Sequence, residues 1–337
     1  MQSACWTASV SSPYDAGMSY ENPITGDQIL RVGPVNPAVA AILADEFQAT
    51  VLPGAEERNA WLEEHGTRIR VAVCSGKIGV DSDLMKQLPN LEAIVNFGVG
   101  YDATDFGQAA QRGILLSNTP DVLTDCVADT AMGLYLDTLR GLSAAERFVR
   151  AGTWASGQNF PLATRATGRK VGILGLGRIG QAIADRLEGF KTEIHYHSRS
   201  QKEGAAYQYH ASAKELAEAV DVLIVAAAGG PDSANLVDAS VLAALGENGF
   251  IINIARGSVI DEAALVTALQ QKTIAGAGLD VFAREPHVPS QLLELDNVVL
   301  LPHLGSGTVE TRADMTSLTI ENLRSYLKDR ALITPIS

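Results

Sequence analysis

The sequence predicts an α/β protein with two Rossmann-like or flavodoxin-like parallel-sheet domains, the nucleotide-binding domain being inserted into the other. Three observations carry this. Short apolar, β-branched runs alternate with helical stretches along nearly the whole chain, the pattern of parallel strands joined by crossover helices. A glycine-rich loop, Gly175-x-Gly177-x-x-Gly180, falls near the middle of the chain rather than at its start. Two turn segments, Asn118-Thr-Pro120 and Pro302–Gly307, each follow a strand and precede a long helix. They are the natural places for the chain to cross between domains.

The elements follow in order. Strands are predicted at Ile29–Val32, Val71–Cys74, Ala93–Phe97 and Ile114–Ser117, before the glycine loop. Val171–Leu174 runs into the loop, and Glu193–His197, Val222–Ala227, Phe250–Ile254, Ala275–Leu279 and Val298–Leu301 come after it. Helices are predicted at Pro37–Phe47, Ala128–Arg150, Gln181–Leu187, Ala213–Ala219, Glu262–Gln271 and Thr308–Tyr326. The expected division is therefore a substrate domain of residues 23–118 plus 308–337 and a nucleotide domain of residues 119–307. Residues 1–22, rich in Ser, Ala and Tyr, lack the basic start and apolar core of a signal peptide. They are expected to be a disordered or appended extension.

At 337 residues, 46% of them hydrophobic, the chain can bury the cores of two domains. Its net charge of −13 argues against a nucleic acid or an anionic membrane as partner. A small anionic substrate stays open, because a local cationic pocket overrides the global field. Cys5, Cys74 and Cys126 have no metal-type spacing. Free thiols in a reducing cytoplasm, and no metal, are the expectation. No apolar run reaches transmembrane length.

The glycine loop is flanked as a dinucleotide site requires, by a strand before it and a helix after it. Gly175 would allow the tight turn, Gly177 the approach of a pyrophosphate, and Gly180 the close packing of helix on strand. The helix N-terminus would offer free N–H groups and partial positive charge to the phosphates. In the NAD form of such a site an acidic residue ends the next strand and binds the ribose hydroxyls. Here Ile194–His197 runs into Ser198-Arg199-Ser200, with Lys202 close behind and no Asp or Glu at the strand end. Arginine and two hydroxyls suit a 2′-phosphate, so NADP(H) is expected to be preferred over NAD(H).

Hydride transfer to a 2-keto acid would need a cation for the carboxylate and ketone, an acid for the developing alkoxide, and a group that keeps that acid protonated. Candidates stand just after strand ends, where open α/β sheets bind ligands. Arg256 follows Phe250–Ile254, and His303 follows Val298–Leu301. Glu285, in Asp280-Val-Phe-Ala-Arg-Glu-Pro286, would favour the imidazolium if it touched the ring. The other histidines are weaker candidates. His195 and His197 lie on a strand, His65 and His210 in polar stretches, and His287 has no strand end to aim it.

These segments occur in the order typical of the D-2-hydroxyacid dehydrogenase family. Upstream, Asn96–Asp102 and Asn118–Asp129 resemble two more of its segments, so the likeness runs from about residue 28 to 330. The chain most resembles the NADPH-dependent glyoxylate/hydroxypyruvate reductases, including hydroxyphenylpyruvate-reducing members. The resemblance implies that Arg256 binds the substrate's carboxylate and carbonyl, and that His303 is the general acid, paired with Glu285. It implies that Leu176, Arg178 and Ile179 join the loop glycines at the pyrophosphate and that Asp280 meets the nicotinamide carboxamide. Ala227, Ile254, Ala255 and Gly305 would complete the cofactor site. Ser75, Gly76, Val99 and Gly100 would bind or line the substrate. A homodimer through the helices around 128–150 is implied as well. The chain departs from the family in the small-residue loop Ala226–Pro231, in Asn235 where threonine is common, and in Asp129 where glutamate is usual. Three other readings stay open: a nucleotide-sensing corepressor-like protein of the same fold, an aryl-pyruvate reductase, and a dehydrogenase that oxidises formate or phosphonate. The Arg199 loop argues against the last, whose members chiefly use NAD.

Overall fold

A computed structural model describes residues 23–336. The expected extension at 1–22, with Cys5, lies outside the described residues. The strands form two separate sheets in which every pairing is parallel. The first contains β1 (Ile29–Arg31), β2 (Thr50–Val51), β3 (Val71–Ser75), β4 (Ala93–Phe97) and β5 (Leu115–Ser117), in the order β2-β1-β3-β4-β5. The second contains β6 (Lys170–Leu174), β7 (Glu193–His197), β8 (Gln208–Tyr209), β9 (Val222–Val225), β10 (Phe250–Asn253), β11 (Gly276–Leu279) and β12 (Val298–Leu300). Its order is β12-β11-β10-β9-β6-β7-β8. The central strands are buried throughout and, Asn96 apart, apolar, as they must be when helices cover both faces.

The order reverses between β6 and β9, which pair side by side from Val171↔Val222 to Leu174↔Val225. Chains leaving a reversal point run to opposite faces and open a crevice beyond the strand ends, where ligands bind. The glycine loop lies at that point.

The chain leaves the first sheet after β5 and enters the helix Thr124–Arg140, which packs on the second sheet. It returns after β12 through residues 301–308 into the helix Val309–Asp329, which packs against β4 and the helix Pro37–Asp45. The C-terminus ties back to β5: the Ile336 N–H donates to the Leu116 carbonyl at 2.7 Å, and the Thr334 hydroxyl donates to the Asn118 carbonyl at 2.6 Å. These contacts support the division at about 118 and 307, and we propose it on that ground. One apolar cluster nevertheless runs from Val73 and Val95 of the first sheet through Val127 and Met315 to Val171 and Ile252 of the second. The two halves share core at the crossings.

The structure corrects one predicted helix. Ala128–Arg150 is two helices, Thr124–Arg140 and Leu142–Arg150, separated by Gly141 at φ 63°. A glycine in the left-handed region ends a helix without the Cβ penalty. Asp137 then secures the restart by accepting from the Ser143 N–H at 2.8 Å. Some elements had no usable pattern. β2 and β8 are two-residue edge strands, and the helix Ala55–His65 buries only Leu62.

Candidate active site

The three loop glycines have different reasons to be glycine. Gly175 sits at φ +104, and a Cβ there would come within 2.6 Å of the Ala227 nitrogen. A Cβ on Gly180 would lie 2.2 Å from the Gly175 carbonyl oxygen. Gly177 has an ordinary φ of −90°, and a Cβ there would meet nothing within 4 Å. Protein packing therefore requires the first and third glycines but not the second. Open space above a bare backbone at a helix start fits a close-approaching pyrophosphate. The helix Arg178–Glu188 has no side-chain N-cap, so its first N–H groups are left for a ligand.

The next strand meets the loop directly. The Gly175 N–H donates to the His197 carbonyl at 2.8 Å, and the Leu176 N–H donates to Ser198 Oγ at 3.0 Å. Arg199 and Ser200 follow, both exposed. Ser198–Ser200 is thus held beside the glycine loop with no carboxylate at the strand end, and Glu193 stands at the opposite end of β7.

Arg256 is presented by a turn that Asn253 organises. Asn253, 1% exposed, accepts from the Ala255 N–H at 3.0 Å and donates to the Arg256 carbonyl at 3.0 Å. Gly257 must be glycine, since a Cβ would lie 1.9 Å from the Phe282 carbonyl carbon. The guanidinium reaches across to the first sheet. Its Nε donates to Asp102 Oδ1 at 3.0 Å, and a Cβ on Gly100 would fall 1.6 Å from its Nη2. Beneath it, Asn96 donates to the carbonyls of Gly98 and Gly100 at 2.9 and 3.0 Å. Gly76 is packed on the same loop, where a Cβ would sit 2.2 Å from the Gly100 oxygen. Gly76, Gly100 and Arg256 are therefore brought together where the two sheets meet, with Ser75 and Val99 adjacent to them along the chain.

His303 follows β12. Its backbone is left-handed at φ 54°, and its N–H donates to the Asp280 carbonyl at 2.8 Å. Nδ1 lies 2.7 and 2.9 Å from the two Glu285 oxygens. A carboxylate only accepts, so Nδ1 carries the hydrogen and Nε2 is left to exchange a proton. Lys77 Nζ, from the loop after β3, lies 2.5 Å from Glu285 Oε2. Burial opposes the charge on Glu285, but His303 and Lys77 outweigh it and lower this carboxyl to about 2. Asp280, 1% exposed, spends both oxygens on the His303 loop: the N–H groups of Leu304 and Gly305 donate to it at 2.7 and 2.9 Å. Burial raises its pKa against the pull of those two bonds. This structural duty stands beside the nicotinamide contact expected of Asp280.

The remaining histidines lie elsewhere. His195 is buried between His210 Nε2 and Glu193 Oε1, at 2.9 and 3.0 Å. His287 closes its own turn through a backbone bond to Arg284. Asp129, in place of the usual glutamate, accepts from Arg186 Nε at 2.7 Å. Lys77, Asp102, Asn96 and Asn253 carry no assignment from sequence, although each lies inside or next to a segment that does. Their signal was a polar residue in or just beyond the end of a buried strand, next to a glycine-rich loop, and only the folded contacts give it meaning. Among the described residues no group of three or more His, Cys, Asp or Glu is disposed to hold a metal ion, and no helix is long and apolar enough to cross a membrane.

Fold and site together define a doubly wound, two-sheet oxidoreductase with its cofactor loop at the reversal point of one sheet. Residues 132–305 match the family described as D-isomer specific 2-hydroxyacid dehydrogenase, NAD binding domain. The chain is 44% identical over 308 residues to the glyoxylate/hydroxypyruvate reductase A of Arabidopsis thaliana, covering 91% of this chain and 98% of that protein. It is 47% identical over 268 residues to the hydroxyphenylpyruvate reductase of Plectranthus scutellarioides, covering 80% and 85%. Among solved structures it resembles the NADPH-dependent glyoxylate/hydroxypyruvate reductase of Sinorhizobium meliloti, in complex with NADP and malonate. The TM-score is 0.84 at 46% identity, over 92% of this chain and 96% of that one. The chain belongs to the D-2-hydroxyacid dehydrogenase family and is an NAD(P)-dependent enzyme acting on 2-keto and 2-hydroxy acids.

Proposed function

We propose that the protein reduces small 2-keto acids of the glyoxylate and hydroxypyruvate type to D-2-hydroxy acids, preferring NADPH to NADH. The observation that carries this is the Glu285–His303 pair at 2.7 Å, which Lys77 ties to the loop whose Gly76 packs on Gly100 under Arg256. The nicotinamide cofactor supplies the hydride. Arg256 binds the substrate carboxylate and polarises the ketone, helped by the N–H groups of the Val99–Gly100 loop, with Ser75 and Gly76 lining the substrate site beside them. His303 holds a proton at Nε2 and delivers it to the developing alkoxide. Glu285, ionised across the working pH range, steadies the imidazolium and fixes the ring.

Gly175–Gly180 holds the pyrophosphate, Ala227, Ile254, Ala255, Asp280 and Gly305 line the rest of the cofactor site, and Ser198, Arg199 and Ser200 receive the 2′-phosphate. The helix Leu142–Arg150 buries none of its residues, and Leu142, Val149, Trp154 and Leu162 are exposed nearby. That apolar surface supports a homodimer through this region. Cys74 and Cys126 are unpaired, which supports a reducing cytoplasmic setting.

The test is NADPH oxidation with glyoxylate, hydroxypyruvate, pyruvate and aryl pyruvates, repeated with NADH. We expect the first two substrates to lead, a higher kcat/KM for NADPH, and an Arg199→Ala variant that narrows the gap between cofactors. Preference for an aryl pyruvate would move the substrate reading. No oxidation with any keto acid would favour a nucleotide sensor.

A further inference from the structure

The Ser75–Gly79 loop brings one charge to the reacting centre from the opposite sheet. Lys77 and Glu285 are separated by 208 residues, yet Nζ meets the same Oε2 that faces His303 Nδ1 at 2.7 Å. One carboxylate oxygen is thus shared by two cationic partners. The backbone behind Lys77 is held firmly. The Gly76 N–H donates to the Phe97 carbonyl at 3.1 Å, and those of Ile78 and Gly79 donate to the Ser75 carbonyl at 3.0 and 2.9 Å. Gly79, at φ +63, is packed so that a Cβ would lie 2.2 Å from the Ala103 oxygen.

We propose that Lys77 is a positioning residue that divides Glu285 between itself and His303, and so sets the pH at which the acid loses its proton. The inference rests on His303 being that acid. Its physical basis is direct. A cation on Glu285 draws off part of the negative charge that would stabilise the imidazolium, and it also repels the imidazolium. Both effects favour release of the proton to substrate.

The surrounding charges do not replace it. Asp280 lies beneath the pair with both oxygens committed to backbone N–H groups. Glu262, from the helix packed behind, accepts from the Ala283 N–H at 3.0 Å. Arg256 is paired with Asp102 across the cleft, and Arg284 and His287 flank Glu285 on its own turn. The bland alternative is an ordinary surface ion pair, since the Lys77 side chain is 58% exposed, and such a pair would leave the chemistry untouched.

The test compares the full-length protein with Lys77→Met and Lys77→Arg. It reads kcat/KM for NADPH-dependent glyoxylate reduction against pH, and the His303 ring titration by NMR in the NADP complex. In Lys77→Met the alkaline limb and the ring midpoint should both move up by about one unit. In Lys77→Arg, which keeps the charge, both should stay near the parent values. A midpoint that does not move in Lys77→Met overturns the inference, as does a change in KM alone. His303→Gln separates the two readings. If it keeps turnover and the alkaline limb, the acid assignment falls. If it loses them while Lys77→Met leaves the ring midpoint in place, only the Lys77 inference falls.

Discussion

The two sheets divide the work unequally. The second supplies the side chains proposed to react, from consecutive strand ends: Arg256 after β10, Glu285 after β11 and His303 after β12. The first supplies mostly backbone, through the glycine-rich loops at 75–79 and 98–100. Its charged side chains meet the site only as partners of the second sheet's residues, Asp102 on Arg256 and Lys77 on Glu285. On the proposed reading one half holds the reacting groups, while the other would present bare backbone to the substrate and adjust their charge. Strand ends of a buried sheet suit precisely placed groups, whereas loops that must approach a carboxylate closely suit bare backbone.

The largest effect should come from removing the second half's acid. His303→Ala should cut turnover by roughly two to four orders of magnitude while NADPH binding stays nearly intact. Steady-state kinetics and a fluorescence titration check both, and turnover within a few fold of the parent would undo the division of labour.

A smaller effect separates packing from binding inside the glycine loop. Gly180→Ala places a Cβ against the Gly175 carbonyl and should lower stability by about 1–3 kcal/mol. Gly177→Ala meets no protein atom, so its unfolding midpoint should match the parent while NADPH binds more weakly. Equal thermal shifts in the two variants would show that Gly177 is also a packing residue.

The smallest effect is on acid stability. Glu285 titrates at about 2 when folded, against an ordinary value of 4.5. Its contribution is therefore present above about 4.5 and is lost as pH falls through the folded value. The stability gap between parent and Glu285→Gln, measured by denaturant unfolding, should be widest near neutrality and shrink between pH 4.5 and 2. A gap that does not change with pH would mean that the pair contributes little beyond packing.

Much of this was legible in the sequence, because the signals were local. β-branched runs specify strands, glycines specify turns, and Ser198-Arg199-Ser200 replaces an acid at a strand end. Arg256 and His303 could be picked out because each follows a buried strand. Their contacts could not. Gly141 breaks a helix that periodicity alone would run through, and the polar helix Ala55–His65 has no apolar stripe to announce it.

By itself, then, the sequence determined the two parallel sheets, the glycine loop and the candidate reactive residues, since propensity and spacing act over a few residues. Only the tertiary structure decided that Glu285 touches His303, that Asn253 and Asp280 hold the turns presenting Arg256 and His303, and that Lys77 and Asp102 cross the cleft. Those contacts join residues as many as 208 positions apart. Their geometry follows from how the two sheets are docked, which no local pattern encodes.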